Sequence, residues 1–358
     1  MKRFGNIDAL RGVCALLVVA RHLSPPLWLL GGSLFRSHPY FYLDPGRIGV
    51  TAFFLISGYV IPFSVSRGDK PVTNFWISRW FRLWPVYWLS IALACLVGAT
   101  FTPPTWKTVI INTTMMQRFI GIHDLVIVFW TLQIELIFYF IITLMIMAGV
   151  VGRIDYFRKM FYLMVAASLG LSAARGAFHI KLPVVVPMAM TLMFLAGYIR
   201  HCRMASKTFP RLETTFYLVS LVPVCLMGYG ARVDVLDDPY RWMLAYSVGL
   251  ALFLSFEASE SAPRFLVFLG SISYSLYMLH ESVIKLSQTM LGDSRPVWVG
   301  CLSIVAAVIV SWVNYKLVER PFQQIGRNLI HRRALSGVPQ PIAQRVANLS
   351  PAGEINAH

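Results

Sequence analysis

Ten apolar stretches of 17 to 27 residues follow one another along this chain, separated by short polar breaks. That succession constrains the fold more than any motif does, because about 20 helical residues cross the hydrocarbon core of a bilayer. Lipid offers no hydrogen bonds to the backbone, so each stretch must satisfy its own as a helix. The expected spans are 8–30, 47–66, 82–102, 125–149, 158–176, 183–200, 214–230, 241–257, 264–290 and 297–318. Composition agrees: of 358 residues, 57% are hydrophobic and 13% charged, against about 25% charged in soluble domains. The expected fold is an all-α integral membrane protein, a bundle of about ten transmembrane helices. Residues 104–121 are amphipathic and suit the membrane interface. Residues 1–325 are expected to form the membrane domain, and 326–358 a flexible cytoplasmic tail, basic and then polar.

The net charge of +16 does not imply a nucleic-acid partner, because the basic residues fall between apolar runs and not along one polar face. With the N-terminus inside, twenty Lys and Arg fall on the inner side and ten on the outer. That excess places both termini in the cytoplasm. Met1-Lys2-Arg3 precedes the first run without a small-residue cleavage site, which reads as a retained span and not a signal peptide. The five cysteines are scattered with no CxxC spacing, so they read as small buried hydrophobes, and no metal is expected.

Ionisable groups inside membrane segments are costly and face a bundle interior or a cavity. Four clusters stand out. In DALRGVCALLVVARH, Arg11 and His22 are eleven residues apart. They share one helical face, about 16 Å apart along the axis, with Asp8 one turn before Arg11. In FWISRWFRLWPVYW, Arg79 and Arg82 stand at i, i+3 among aromatic residues. That pattern suits either a positive-inside boundary or bidentate phosphate recognition. In WTLQIELIFYF, Glu135 lies deep in the fourth span near Gln133 and Tyr139, and needs a cationic or hydrogen-bonding partner. In GSISYSLYMLHESVI, Ser273, Tyr277 and His280 make one polar stripe. Gly49, Ser57, Gly58 and Gly270 read as close helix contacts. The chain has no GxSxG, HExxH, P-loop or GxGxxG before a helix, which argues against soluble-type hydrolase, protease and nucleotide-binding chemistry.

Taken in order, IDALRGVCALLVVARH, GVTAFFLISGYVI, ISRWFRLWP, WTLQIELIFYF, SISYSLYMLH and VERP at Glu319 resemble the membrane acyltransferase 3 family, which includes bacterial sugar O-acetylases. The resemblance covers roughly residues 6–325. Thr131 stands where many relatives carry Ser, and it keeps the hydroxyl. The resemblance implies a multi-pass protein of the bacterial inner (cytoplasmic) membrane that takes an acyl group, commonly from acetyl-CoA, on the cytoplasmic side. It implies a hydroxyl acceptor on a polysaccharide, lipid-linked sugar or small molecule such as an antibiotic. Some relatives carry an additional C-terminal hydrolase-like domain, for which only a short tail stands here.

Acyl transfer from a thioester to a hydroxyl needs a base, help for the developing oxyanion and a grip on the donor. His22 is the expected base, Arg79 and Arg82 the phosphate grip, and Arg11 a contact to the donor between them. Glu135 either orients His22 or balances Arg11, and Asp8, Ser273, Tyr277 and His280 are expected in the same network. A transporter or flippase, or a non-catalytic membrane sensor, would also explain intramembrane Arg, Glu and His. Against transport stands the absence of a repeat halving the chain.

Overall fold

The computed structural model describes residues 5–23, 43–65, 70–231, 233–234, 237–291 and 297–336. Among these the fold is helical throughout, without a strand. The helices are α1 (Gly5–Leu23), α2 (Pro45–Val60), α3 (Pro71–Val97), the short α4 (Trp106–Thr113), α5 (Trp130–Met147), α6 (Ile154–Phe178) and α7 (Val185–Met204). They continue as α8 (Arg211–Gly230), α9 (Pro239–Ala258), α10 (Arg264–Ser271), α11 (Ser273–Leu291), α12 (Val297–Asn314) and α13 (Arg320–Ser336). Each expected span holds a helix where it is described, with the ends of several running into turns; residues 24–30 of the first and 66 of the second lie outside the described residues. Seven helical stretches are long and apolar enough to cross a membrane by length and composition. This is an all-α membrane protein.

Helix ends follow local chemistry. Asp44 caps α2 by accepting from Arg47 N at 3.1 Å, with Pro45 in the first turn. Asp238 caps α9 in the same way, accepting from Arg241 N at 3.0 Å ahead of Pro239. Both pairs place a side-chain acceptor before a proline that, having no N–H, needs no acceptor. Gly98 closes α3 in a left-handed conformation, φ 67°.

The bundle is organised around α7, whose span is 78% enclosed, whereas the stretch 298–333 is 22% enclosed. α7 packs on α2 and α6; α1 packs on α2, α10 and α11; α11 packs on α3 and α12. On α12 the residues Trp298, Leu302, Val305, Ile309 and Trp312 are exposed. Their i, i+3/i+4 spacing makes one apolar outer stripe, as a lipid-facing helix requires. Two glycines set the closest approaches. A Cβ at Gly270 would strike the Asp8 backbone, and one at Gly58 the Met193 backbone. The small residues do bring helix axes together, as small residues do in membranes.

Three boundaries differ from the sequence reading. α3 begins eleven residues before the expected 82, at Pro71, so Arg79 and Arg82 sit within it and not at its entrance. The ninth span breaks at Ile272. There Ser271 Oγ donates to Phe268 O at 2.6 Å and Ser273 Oγ to Gly270 O at 2.8 Å, side-chain bonds that compete with the helical ladder. The chain also stays helical beyond 325, through a widened π turn at Tyr315–Glu319 and then α13. That turn lies just before Pro321, whose ring would crowd the carbonyl four residues earlier. α13 lies along α3, where Gly326 meets Phe81 and the Phe322 and Phe81 rings stack 6.5 Å apart. The remaining tail, 337–358, is outside the described residues.

Candidate active site

α1, α2, α3, α5 and α11 enclose a cavity of about 70 Å³ in the bundle interior. Its polar lining is Arg11, Ser57, Arg82, Thr131, Glu135, Ser273 and Tyr277, with Phe53, Phe54 and Leu83 among the apolar walls. The volume holds a few waters or a slender chain, not a folded nucleotide. Arg82, Asp8, Glu135 and Glu319 are the charged groups that act on Arg11. Arg11 Nε is buried and donates no hydrogen bond among the described residues. Glu135 Oε1 accepts from Tyr139 OH at 2.7 Å. Glu319, delivered inward by the π turn, accepts from Ser275 Oγ at 2.6 Å and Gln323 Nε2 at 3.1 Å. Such turns recur at functional sites.

Arg79 does not line the cavity. It is buried behind it, donating to Ser64 Oγ, with its guanidinium 5.3 Å from the Phe75 ring and 5.6 Å from the Tyr139 ring. The two arginines of the i, i+3 pair therefore differ: Arg82 faces the cavity and Arg79 braces the wall that carries Tyr139 and, through it, Glu135. Gln133 also leaves the neighbourhood of Glu135. Its Nε2 donates to Asp124 Oδ1 at 2.6 Å, and Gln117 Nε2 donates to the same oxygen at 2.7 Å. This buried network ties the chain between α4 and α5 to α5.

Above the cavity lies a second polar centre. The hydroxyls of Thr131 and Tyr277 are 2.8 Å apart, and the Tyr277 ring packs on His280 at 6.2 Å. His280 Nε2 is 3.2 Å from His22 Nδ1, and His22 Nε2 is 3.0 Å from Glu281 Oε1. His22 Nδ1 also lies 2.9 Å from Val18 O. His280 is fully buried, while the side chains of His22 and Glu281 are 27% and 15% exposed. The ring nitrogens and carboxylate oxygen of these three residues lie within 4.8 Å of one another.

The structure thus brings together Arg11, Arg82, Glu135, Ser273 and Tyr277 around one cavity, with Asp8 beside Arg11, and places His280 and His22 outside that lining, next to Tyr277. Of the two roles open to Glu135, the carboxylate at His22 belongs instead to Glu281. Glu281 was missed because it stands one residue, 100° around the helix, from the Ser273–Tyr277–His280 stripe. An acid next to a histidine inside an apolar run was the available signal.

These features define a membrane protein with an intramembrane acid–base and arginine site, and comparison with known proteins gives its family. The family profile described as Acyltransferase domain matches residues 4–316. The chain belongs to this acyltransferase family. It is 24% identical over 395 aligned positions to a Staphylococcus aureus protein named for O-acetyltransferase activity, covering 95% of this chain and 60% of that one. It is 23% identical over 368 positions to the peptidoglycan O-acetyltransferase of Listeria monocytogenes, covering 90% of this chain and 56% of that one. The chain therefore spans little more than half the length of the relatives it matches. No solved structure matches it.

Proposed function

We propose that this protein is an O-acetyltransferase that moves an acetyl group from acetyl-CoA, taken up on the cytoplasmic side, to a hydroxyl of a cell-surface saccharide. The observation that carries the reading is the vertical separation of two unlike sites on α1. Arg11, with an unspent Nε–H, faces the cavity beside Arg82. His22 stands about 16 Å farther along the same helix at a half-open end. A donor held by its anionic part near Arg82 and Arg11 would extend its arm past Tyr277 to bring the thioester to His22.

In that reading His22 Nε2 takes the acceptor's hydroxyl proton as the oxygen attacks the thioester carbonyl carbon. The C–O bond forms, the C–S bond breaks, and the proton passes from His22 to the departing thiolate. The names of the relatives favour a glycan acceptor such as peptidoglycan. Mass spectrometry of surface glycans from cells with and without the gene tests the function. Loss of a base-labile acetyl mass on deletion supports it, and an unchanged glycan profile sinks it. Thermal stabilisation of the detergent-purified protein by acetyl-CoA tests the donor separately, and its absence would favour a transporter.

A further inference from the structure

We propose that Glu281 is the positioning carboxylate that holds the positive charge on His22 during acyl transfer, while His280 fixes the His22 tautomer from the other side of the ring. This rests on the reading of His22 as the base and extends it to residues that the reading did not require.

The acceptors around the two imidazoles fix where their ring protons lie. His280 Nδ1 faces Leu276 O at 3.1 Å and Tyr277 O at 2.8 Å. Carbonyls only accept, so this nitrogen carries the hydrogen, and in the neutral ring Nε2 is left with a lone pair. That lone pair meets His22 Nδ1, which also faces Val18 O. With two acceptors in front of it, His22 Nδ1 carries a hydrogen too. The only His22 nitrogen left to receive a proton is Nε2, and the group beside Nε2 is Glu281 Oε1 at 3.0 Å.

His22 Nε2 is the one group that gives this oxygen of Glu281 a role among the described residues. Oε1 is buried and accepts no hydrogen bond among the described residues, whereas buried polar atoms that serve packing are almost always bonded. The contact with Nε2 is close without being an aligned hydrogen bond, so the carboxylate stands beside the nitrogen that the acceptor hydroxyl must reach. Once the acceptor O–H has given its proton to Nε2, the new N–H⁺ has a carboxylate next to it and forms a charge-assisted bond. When the proton moves on to the thiolate sulfur, both residues return to their starting states. The arrangement differs from a Ser-His-Asp triad, where the carboxylate sits at Nδ1 and a neutral nitrogen faces the substrate.

The test uses full-length protein in nanodiscs with acetyl-CoA as donor and soluble peptidoglycan fragments as acceptor, following CoA release. Glu281→Gln keeps size and polarity but loses the charge. It should lower kcat roughly 10–100-fold while KM for acetyl-CoA stays within about twofold. Glu281→Ala should regain rate when formate is added, and gain nothing from formamide. A Glu281→Gln variant as fast as wild type, or formamide rescuing as well as formate, overturns the proposal, since a space-filling role would behave that way. If Glu281→Gln fails to fold, the alanine rescue decides alone. His22→Ala separates the two levels. Full activity in that variant refutes the base itself, whereas an inactive His22→Ala beside a wild-type-like Glu281→Gln refutes only the role of Glu281.

Discussion

The cavity and the histidine end are both polar islands in one apolar bundle, yet their unsatisfied atoms have opposite sign. At the cavity the unspent groups are donors, Arg11 Nε on the lining and Arg79 Nε in the wall behind. At the histidine end the unspent group is an acceptor, Glu281 Oε1. Buried polar atoms without hydrogen bonds are expensive, and in the proposed function each end meets the group that completes it, an anion at the arginines and a hydroxyl at the histidines. An acyl transferase with a phosphorylated donor and an alcohol acceptor needs that polarity.

The comparison can be broken at either end. His22→Ala should give the largest effect, a loss of acetyl transfer on the order of 10²–10⁴-fold. The purified variant should still be stabilised by acetyl-CoA, and loss of that stabilisation as well would mean the two ends are not separate. The double variant Arg11→Gln/Arg82→Gln should do the reverse, weakening acetyl-CoA binding by about 100-fold or more, because each of the two charge-assisted bonds contributes about 1.5–3 kcal/mol. The fall in donor-induced thermal shift measures this, and an unchanged shift removes the arginines from donor binding. Gly270→Ala should cost about 1–3 kcal/mol by forcing α10 away from the Asp8 backbone. It should lower the unfolding temperature in detergent and, by moving α1 against α11, reduce transfer more than donor binding. Tyr277→Phe should be the smallest, about 1 kcal/mol for the lost bond to Thr131. Its value is to show whether the hydroxyl pair between the two ends gates transfer: a wild-type rate would leave the pair a purely structural bond.

Much of this was readable in the chain. Apolar run length predicts a helix in each expected span, of which seven helical stretches among the described residues are long and apolar enough to cross a membrane, and the glycines at 58 and 270 lie at helix contacts as their small size suggests. The family motifs point to five of the cavity's polar residues. Other features escaped for identifiable reasons. Arg79 and Arg82 share a helical face, but only the packing of Phe75, Tyr139 and Ser64 turns one into a wall and leaves the other in the cavity. Gln133 is two residues from Glu135, and the helix turns it 200° away toward Asp124.

Periodicity within one helix is a local property, and it settles that Arg11 and His22 share a face of α1 about three turns apart. Which faces meet is not local. His22 and His280 are 258 residues apart, and their contact exists because Gly12 and Gly270 let α1 settle against α10 at backbone distance. That same docking, not the pattern along either helix, presents Glu281 to His22 and leaves Glu135 with the arginines. The chain's chemistry could therefore single out His22, but the partner of its ring depended on how closely two helices approach.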